Sequence, residues 1–388
     1  MNNTIEVQEG LNDLIHNRVA NRIQKGSMNA QNAIQLLIEE GKASNDYIAM
    51  LGAGGHRVSE VTFNANGKVK MILPLSSKKA IKGLNDFAEN TEYTLHENAV
   101  GQLGEKFKIP TRYIRELATG EEWQRSLAAN ILNSHSNWTP KTRSLVRTVG
   151  SEVRGVLSEN YRRLNSPEII TSFLEMALSQ GAELADGFID GTRVYMEVLM
   201  PQTIAIPTEK NGIIEMVFGA RLSTSDYGDG ALELRAFMMQ GICLNGMVRE
   251  SVMRQVHLGG RLPDNMLLSN RTYDLDTRTQ ASAVKDLTKG IFTKDSIRAR
   301  ALEIQGAAGM IVDMDKELKS LQKGKLGKEE VQAVEKVLMR NNPDDGVQGE
   351  STLWKLVQGI TAHSREIPAR RSRELQEIAG ELMNRVKL

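Results

Sequence analysis

The chain has 388 residues, 40% of them hydrophobic and 25% charged, a composition typical of folded globular proteins that excludes extended disorder. Lys and Arg total 49 against 48 Asp and Glu, and the net charge of +1 excludes binding to nucleic acid or anionic lipid through overall charge. A lone cysteine, Cys243, excludes an internal disulfide, and no apolar run approaches the roughly 18 residues that span a bilayer, so we expect a cytoplasmic protein without membrane contact.

Residues 1–50 are predicted to form an N-terminal helical segment. Apolar residues recur at three- and four-residue spacings from Leu11 to Ile23 and again from Ala33 to Ile38. This spacing places the members of each run on one face of a helix. The two runs therefore predict two short amphipathic helices.

A hairpin and a helical layer are predicted next. The Asn66-Gly67 dipeptide separates two strand-like runs and readily adopts the positive φ angles of a tight turn. This predicts a β-hairpin near residues 57–74. Residues 77–133 return to helical spacing, with breaks at Pro110 and Gly120.

The strand-rich middle of the chain is predicted to be the core. Short alternating runs begin at residue 142, and the segment 166–181 has the capping and spacing of a helix. Three β-leaning runs separated by turn residues follow between Thr192 and Leu244, and they predict an antiparallel three-stranded meander. A helix predicted over 246–257 would cover one face of that sheet and complete a β-β-β-α core.

The C-terminal region is predicted to be helical from about residue 277 almost to the end. Its middle, residues 313–350, is weakly apolar and rich in Lys and Glu, so we expect hinges there and no core. The predicted fold class is α+β, an antiparallel β-meander with a covering helix, between helical N-terminal and C-terminal regions. The predicted domains are 1–50, 51–275 and 276–388.

Residues with catalytic or metal-binding potential are more simply explained as structural. The glycine-rich run 52–55 lacks the remaining residues of a phosphate-binding loop, so a plain turn is expected. The six histidines never fall three to five residues apart, and Asp226 and Asp229 occupy a glycine-rich turn. Cys243 lies in an apolar run, where a thiol has a raised pKa and packs as a small hydrophobe. We expect no enzymatic activity, no cofactor and no metal.

A basic stretch between Trp138 and Asn165 is the best functional candidate. It carries six basic residues against two acidic ones, and arginine guanidinium groups match phosphate oxygens in geometry. Tyr161 can stack on an unpaired base. The alternative is a solvated basic face whose arginines pair with Glu159 or Glu168. The predicted nucleic-acid-binding residues of this stretch are Lys141, Arg143, Arg147, Arg154, Tyr161, Arg162 and Arg163.

Three arginines of the meander extend the candidate nucleic-acid surface. They are Arg193, Arg221 and Arg235. Residues 190–261 hold seven basic and eight acidic side chains, and this near balance equally suits ordinary salt bridges.

Three blocks of the sequence resemble successive signatures of the domain of unknown function 932, a family of phage- and plasmid-borne proteins. The blocks are VRGVLSENYRRLNSPEIITSFLEMAL, STSDYGDGALELRAFMMQGICLNGMV and STLWKLVQGITAHS. The resemblance covers roughly residues 50–365 and departs at Gly246 and Met247, where family members more often carry a hydroxyl or small residue and a Leu. It implies a mobile-element origin and a shared fold more than an activity. The matching positions are Leu157, Ser158, Tyr161, Arg162, Leu164, Asp229, Gly230, Arg235, Cys243, Asn245, Trp354, Thr361 and His363.

We expect a nucleic-acid-binding protein of a phage or plasmid, with single-stranded DNA favoured, that acts in recombination or replication. The β-β-β-α order is similar in outline to the core of single-strand annealing proteins, whose oligomers line up a basic groove. The Met-rich composition and the C-terminal helices predict a homo-oligomer. The alternative is a non-enzymatic interaction protein that binds a host protein and blocks a defence system.

Overall fold

A computed structural model describes residues 8–9, 13–55, 58–74, 78–79, 91–159, 161, 165–241, 243–255 and 269–387. These residues build two mostly antiparallel sheets with helices packed on them, which confirms the predicted α+β class. The strands are β1 (Gln8–Glu9), β2 (Ser44–Leu51), β3 (Thr62–Asn64), β4 (Lys70–Leu73), β5 (Lys78–Lys79), β6 (Thr91–Leu95), β7 (Thr142–Val149), β8 (Glu152–Ser158), β9 (Glu183–Asp190), β10 (Arg193–Thr208), β11 (Gly212–Thr224), β12 (Leu232–Gln240) and β13 (Gly246–Gln255). The helices are α1 (Asp13–Ala43), α2 (Glu97–Phe107), α3 (Thr111–Thr119), α4 (Glu122–Trp138), α5 (Ser166–Ser179), α6 (Asn270–Ile291), α7 (Lys294–Gly309), α8 (Met314–Gln322), α9 (Lys328–Arg340), α10 (Leu353–Ser364) and α11 (Ala369–Leu382), with short 3-10 helices at Pro343–Asp345 and Met383–Arg385.

Sheet one contains the predicted meander. Its strand order is β1-β10-β11-β12-β13, and β9 also pairs with β10. The 16-residue β10 is long enough to share one edge between two partners, because β9 pairs with residues 193–199 and β1 with residues 204–205. The antiparallel pairing of β10, β11 and β12 confirms the three-stranded meander.

The predicted helix over 246–257 is wrong, because β13 forms a fourth strand of the meander. Met247 packs beneath the C-terminal helices, while its neighbour Val248 packs with the start of α1. Two register shifts against β12 interrupt the alternation of this pairing, so the apolar spacing of the strand imitates that of a helix. The β-β-β-α core is therefore corrected to a four-stranded meander. The expected likeness to the core of single-strand annealing proteins depended on a helix at residues 246–257, and residues 246–255 form a strand instead.

Sheet two has the strand order β3-β4-β6-β8-β7-β2-β5 and contains the predicted hairpin. Asn64 of β3 lies opposite Lys70 of β4, and Gly67 in the turn has a φ of 77°. This confirms the hairpin predicted from Asn66-Gly67. The short strands predicted from residue 142 are β7 and β8.

A helical layer of α2, α3 and α4 packs with sheet two in one hydrophobic core. Leu103, Ile114 and Leu132 of these helices are fully buried in that core together with Met71 of β4. The predicted breaks are confirmed, because α3 begins directly after Pro110 and ends before Gly120. Within the range predicted to be helical, however, residues 91–95 form strand β6.

The prediction of two short N-terminal helices is wrong, because α1 is one helix of 31 residues. Its buried positions run from Ile15 to Glu40 at uninterrupted helical spacing, and two of them are Gly26 and Ala30. A Cβ on Gly26 would lie 1.7 Å from the carbonyl oxygen of Ala185. The stretch of α1 between the two apolar runs has no large apolar residues because the helix packs closely on β9 there. The helix continues through this stretch and does not end in it.

The C-terminal region is helical, as predicted, but its charged middle does not consist of hinges alone. Leu321 of α8 and Val334 and Leu338 of α9 are buried in the same core as Trp354 of α10 and one face of sheet one. Lys and Glu occupy the exposed side of these helices, so the segment is amphipathic with a narrow apolar stripe. The expectation that 313–350 contributes no core is wrong.

The predicted domain boundaries stay predictions. Helix α1 packs on β9 and β10 of sheet one, whereas β2, which follows α1 directly, pairs with β7 of sheet two. The N-terminal segment therefore contributes to both sheets.

Candidate functional site

The predicted nucleic-acid-binding residues fall into two groups on different sheets. Arg162 and Arg163 lie outside the described residues. The first group, on or beside β7 and β8, contains Lys141, Arg143, Arg147, Arg154 and Tyr161. The second group, on sheet one, contains Arg193, Arg221 and Arg235.

Arg147 is the most buried member of the first group, with 1% of its surface exposed. Its Nε and Nη2 donate to the two carboxylate oxygens of Asp46 at 2.7 and 2.9 Å, and its Nη1 donates to the carbonyl oxygen of Asp226. Burial by itself would lower the pKa of Arg147, but Asp46 outweighs burial and the pKa is raised, so the guanidinium stays charged. A phosphate would reach Arg147 only by displacing this carboxylate.

The other described members of the first group also have partners within the protein. The hydroxyl of Tyr161 donates to the carbonyl oxygen of Ser225 at 3.4 Å. Basic residues of this group therefore contact carboxylates, as the alternative of ordinary ion pairs expects. The ion pairs are Lys141–Glu60 (3.4 Å), Arg143–Glu159 (2.7 Å), Arg154–Glu40 (2.5 Å) and Arg154–Glu152 (3.1 Å).

The second group lies on one face of sheet one, where further arginines join it. Arg221 and Arg235 are direct cross-strand partners on β11 and β12, and Arg193 of β10 donates to Ser223 at 3.1 Å. Side chains from α1, β13 and α11 complete the cluster. We call this cluster the arginine face, and it consists of Arg22, Arg193, Arg221, Arg235, Arg254 and Arg373.

Carboxylates on the arginine face are shared among several arginines. Glu233 lies within 3.6 Å of Arg193, Arg235 and Arg254. Glu197 is likewise shared by Arg221 at 2.6 Å and Arg22 at 3.6 Å. Asp186 and Glu377 each pair with one arginine, at 3.3 Å. Five of the six guanidinium groups thus pair with four carboxylates, and Asp190 and Asp229 lie near Tyr195 on the same face.

Burial by itself would raise the pKa of Glu197, but Arg221, Arg22 and Arg373 outweigh burial and hold the pKa below its ordinary value. This carboxylate is therefore charged although it is 2% exposed. Its negative charge is divided between the arginines around it.

Arg373 has an unusual position on this face. Its guanidinium lies 4.0 Å from the ring centroid of Phe188 and 4.3 Å from that of Tyr195, and these two rings stack with centroids 4.9 Å apart. Arg373 is 8% exposed, and its buried Nη1 has no hydrogen-bond partner among the described residues. Burial, reinforced by Arg221, lowers the pKa of Arg373 from its ordinary value, as expected for a cation without a full counter-charge.

Sequence reasoning missed Arg22, Phe188, Tyr195 and Arg373 as members of this site. Phe188 lies opposite Tyr195 in the β9–β10 pair, so strand alternation and register would have found the aromatic pair. Arg22 and Arg373 come from helices about 350 residues apart in the chain, and no local pattern connects them.

Three structural interpretations from the sequence are confirmed. The backbone amides of residues 53–55 donate to carbonyl oxygens of residues 136–139 at 2.7 to 3.1 Å, so this glycine run is a turn packed on the end of α4. Asp229 accepts a hydrogen bond from Thr192 and supports the loop between β11 and β12. Burial raises the pKa of the Cys243 thiol to about 12, and its side chain packs among buried groups. Within the described ranges, no cluster of three or more His, Cys, Asp or Glu residues could hold a metal ion.

The three blocks that carry the family resemblance contact one another. Arg154 of the first block lies 5.9 Å from the ring centroid of Tyr227 in the second. Asn245 of the second block donates to Gln358 of the third at 3.3 Å. Strand β13 begins directly after Asn245.

Comparison with known proteins gives no relative for this chain. No protein-family model, no curated protein and no solved structure matches it. Of the helices that the structure describes, none is both long and apolar enough to cross a membrane.

Proposed function

We propose that the chain binds nucleic acid through the arginine face, with single-stranded DNA as the favoured ligand. Arg373 carries the proposal, because it has no carboxylate within ion-pair distance among the described residues and lies against the aromatic pair Phe188 and Tyr195, beside the other arginines of the face. A phosphate oxygen accepts hydrogen bonds from guanidinium groups and supplies a counter-charge to an arginine that has no carboxylate partner.

The aromatic pair favours a nucleic acid over a simple inorganic anion. Phe188 and Tyr195 are half-buried, and their rings lie beside the arginines. Bases of a single strand are free to pack on such rings, whereas bases of a duplex are stacked on each other. Arg254, with 63% of its side chain exposed, extends the positive surface toward solvent.

This proposal moves the expected contact from the first group to the second. Lys141, Arg143, Arg147 and Arg154 have carboxylate partners, whereas Arg373 has no carboxylate within ion-pair distance among the described residues. For Arg162 and Arg163 the sequence prediction stands. A role in recombination or replication of a mobile element, in the cytoplasm, rests on the family resemblance.

Fluorescence anisotropy with single- and double-stranded oligonucleotides, repeated across salt concentrations, tests the proposal. We expect tighter binding to single strands, with affinity that falls steeply as salt rises. Arg373→Gln and Arg235→Gln should each reduce the magnitude of the salt slope by about 0.7 for every phosphate that the variant no longer neutralises. Arg298→Gln, at an exposed arginine of α7 outside the face, is the matched control and should leave the slope unchanged.

Tyr195→Leu separates stacking from charge. If the ring packs on a base, this variant should weaken binding by about 1–3 kcal/mol and leave the salt slope nearly unchanged. Circular dichroism checks that each variant is folded. If the intact protein binds no oligonucleotide at low salt, nucleic-acid binding is excluded and the interaction-protein alternative takes its place.

A further inference from the structure

The outer side of α4 exposes two of the three tryptophans of the chain. Trp123 is 62% exposed, Trp138 is 76% exposed, and Leu127 between them is 36% exposed. Large apolar side chains at such exposure are uncommon on a surface that only water contacts, and tryptophan is enriched where proteins bind each other.

These side chains form one continuous stripe along the helix. With 3.6 residues per turn, positions 123, 127, 130, 134 and 138 lie within an arc of about 80°, and the stripe is about 22 Å long. The opposite side of α4 packs in the core of sheet two through Ala128, Ala129 and Leu132. We call the outer stripe the tryptophan face, and it consists of Trp123, Leu127, Asn130, Ser134 and Trp138.

Acidic side chains flank one end of the tryptophan face, and a lysine follows the other. At the N-terminal end Glu121 and Glu122 are exposed, and Glu121 accepts a hydrogen bond from the indole Nε1 of Trp123 at 3.1 Å. Beyond the C-terminal end lies Lys141, whose side chain is 48% exposed and which pairs with Glu60 at 3.4 Å. A helix with this distribution is complementary to an antiparallel copy of itself.

We propose that the tryptophan face is a dimer interface, in which α4 of one copy packs antiparallel against α4 of a second copy. In this register Trp123 faces Trp138 of the second copy, and Leu127 faces its Ser134. The same two-fold axis brings Glu121 and Glu122 beside Lys141 of the second copy, at both ends of the interface. A two-fold contact of one surface with itself closes at two subunits.

Antiparallel packing also agrees with the charge at the helix ends. The N-terminal end of α4 carries partial positive charge and the C-terminal end partial negative charge, so antiparallel helices place unlike ends together. In the dimer, Trp123 and Trp138 become buried and supply most of the apolar contact between the copies. The Glu–Lys pairs select the antiparallel orientation.

Sedimentation velocity of the intact chain over a range of micromolar concentrations tests the proposal. We expect a monomer–dimer equilibrium, with tryptophan emission that shifts to shorter wavelength as the dimer forms. Leu127→Glu should weaken dimerisation by about 30-fold or more, because it places a charge within the apolar part of the interface. Met339→Glu, at a residue that is 74% exposed on α9, is the matched control and should leave the dimer intact.

Charge reversal gives a second test that does not disturb the apolar stripe. Glu122→Lys should weaken the dimer, and adding Lys141→Glu should restore it, because the pair is then reversed in both copies. Glu60→Gln removes the carboxylate that pairs with Lys141 within one chain, so it should leave the dimer intact or strengthen it. A monomer at every concentration overturns the proposal, as does a dimer that folded Leu127→Glu leaves unchanged or that charge reversal does not weaken and restore.

Discussion

Arg147 and Arg112 place the same side chain in opposite environments. Arg147 is buried and donates hydrogen bonds to both carboxylate oxygens of Asp46. The side chain of Arg112 is 92% exposed, and it pairs with Glu116 one helical turn away. Removing one partner of a buried ion pair is costly, because the remaining charged side chain then has neither its partner nor water around it. An exposed pair is replaced by water at little cost.

Arg147→Ala should therefore lower the free energy of unfolding by about 3–5 kcal/mol. Arg112→Ala should leave the urea midpoint unchanged. Chemical denaturation followed by circular dichroism measures both. Equal midpoints for the two variants would show that the Arg147–Asp46 pair does not stabilise the fold.

Cys243 is a buried thiol whose pKa is raised by burial from about 9 to about 12. Between these two pH values the unfolded chain releases the thiol proton and the folded chain keeps it, so this group lowers stability as pH rises from 9 to 12. At pH 8 the folded thiol should react with a disulfide reagent only when the protein opens. The labelling rate in urea gives the reference value for the unfolded chain. A folded chain that is labelled at a similar rate would contradict the buried position of Cys243.

At the scale of elements, strands and helices with a clear period could be predicted from the sequence. The meander β10–β12, the hairpin at Asn66-Gly67 and the helix α5 follow from alternation, turn chemistry and helical spacing. β13 could not, because its alternation is interrupted by register shifts that only pairing with β12 specifies. The continuity of α1 depends on Gly26 packing against Ala185, a contact with no local signal.

The charged segment 313–350 illustrates the limit of composition as a guide. Its Lys and Glu residues suggested hinges, yet the spacing of a few apolar residues in α8 and α9 is sufficient to dock both helices on the core. Leu338 and Met339 are neighbours in α9, with 8% and 74% of their surfaces exposed.

Leu338→Ala should cost about 2–4 kcal/mol of stability, because it leaves a cavity in the core. Met339→Ala removes a side chain of similar size from the surface and should change stability by less than about 0.5 kcal/mol. Thermal or urea unfolding of the two variants gives the comparison. Similar losses for both would mean that α9 does not pack on the core as described.

The candidate site could be predicted only in part. The sequence places Arg193, Arg221 and Arg235 on predicted strands, and sheet pairing brings Arg221 beside Arg235. The sequence could not show that Arg147 is buried against Asp46, since 101 residues separate them. Nor could it show that Arg373 reaches the same face from α11.

At the scale of the whole molecule, polar contacts join the two sheets. The loop between β11 and β12 contacts helix α2 of the layer on sheet two, where Asn98 and Gln102 both donate to the carbonyl oxygen of Tyr227, at 3.0 and 2.8 Å. Arg147 donates to the neighbouring carbonyl of Asp226. The arginine face belongs to sheet one and the tryptophan face to the helical layer of sheet two, so nucleic-acid binding and dimerisation can be disrupted separately.

Photocrosslinking of single-stranded DNA that carries iodouracil tests the central claim most directly, because this base forms adducts with aromatic side chains that it contacts. If the strand lies on the arginine face, peptides that contain Phe188 or Tyr195 should carry the adduct, and Tyr195→Leu should remove the adduct at that position. Adducts confined to residues 138–163, or none on residues 183–208 at concentrations where binding is saturated, would contradict the claim.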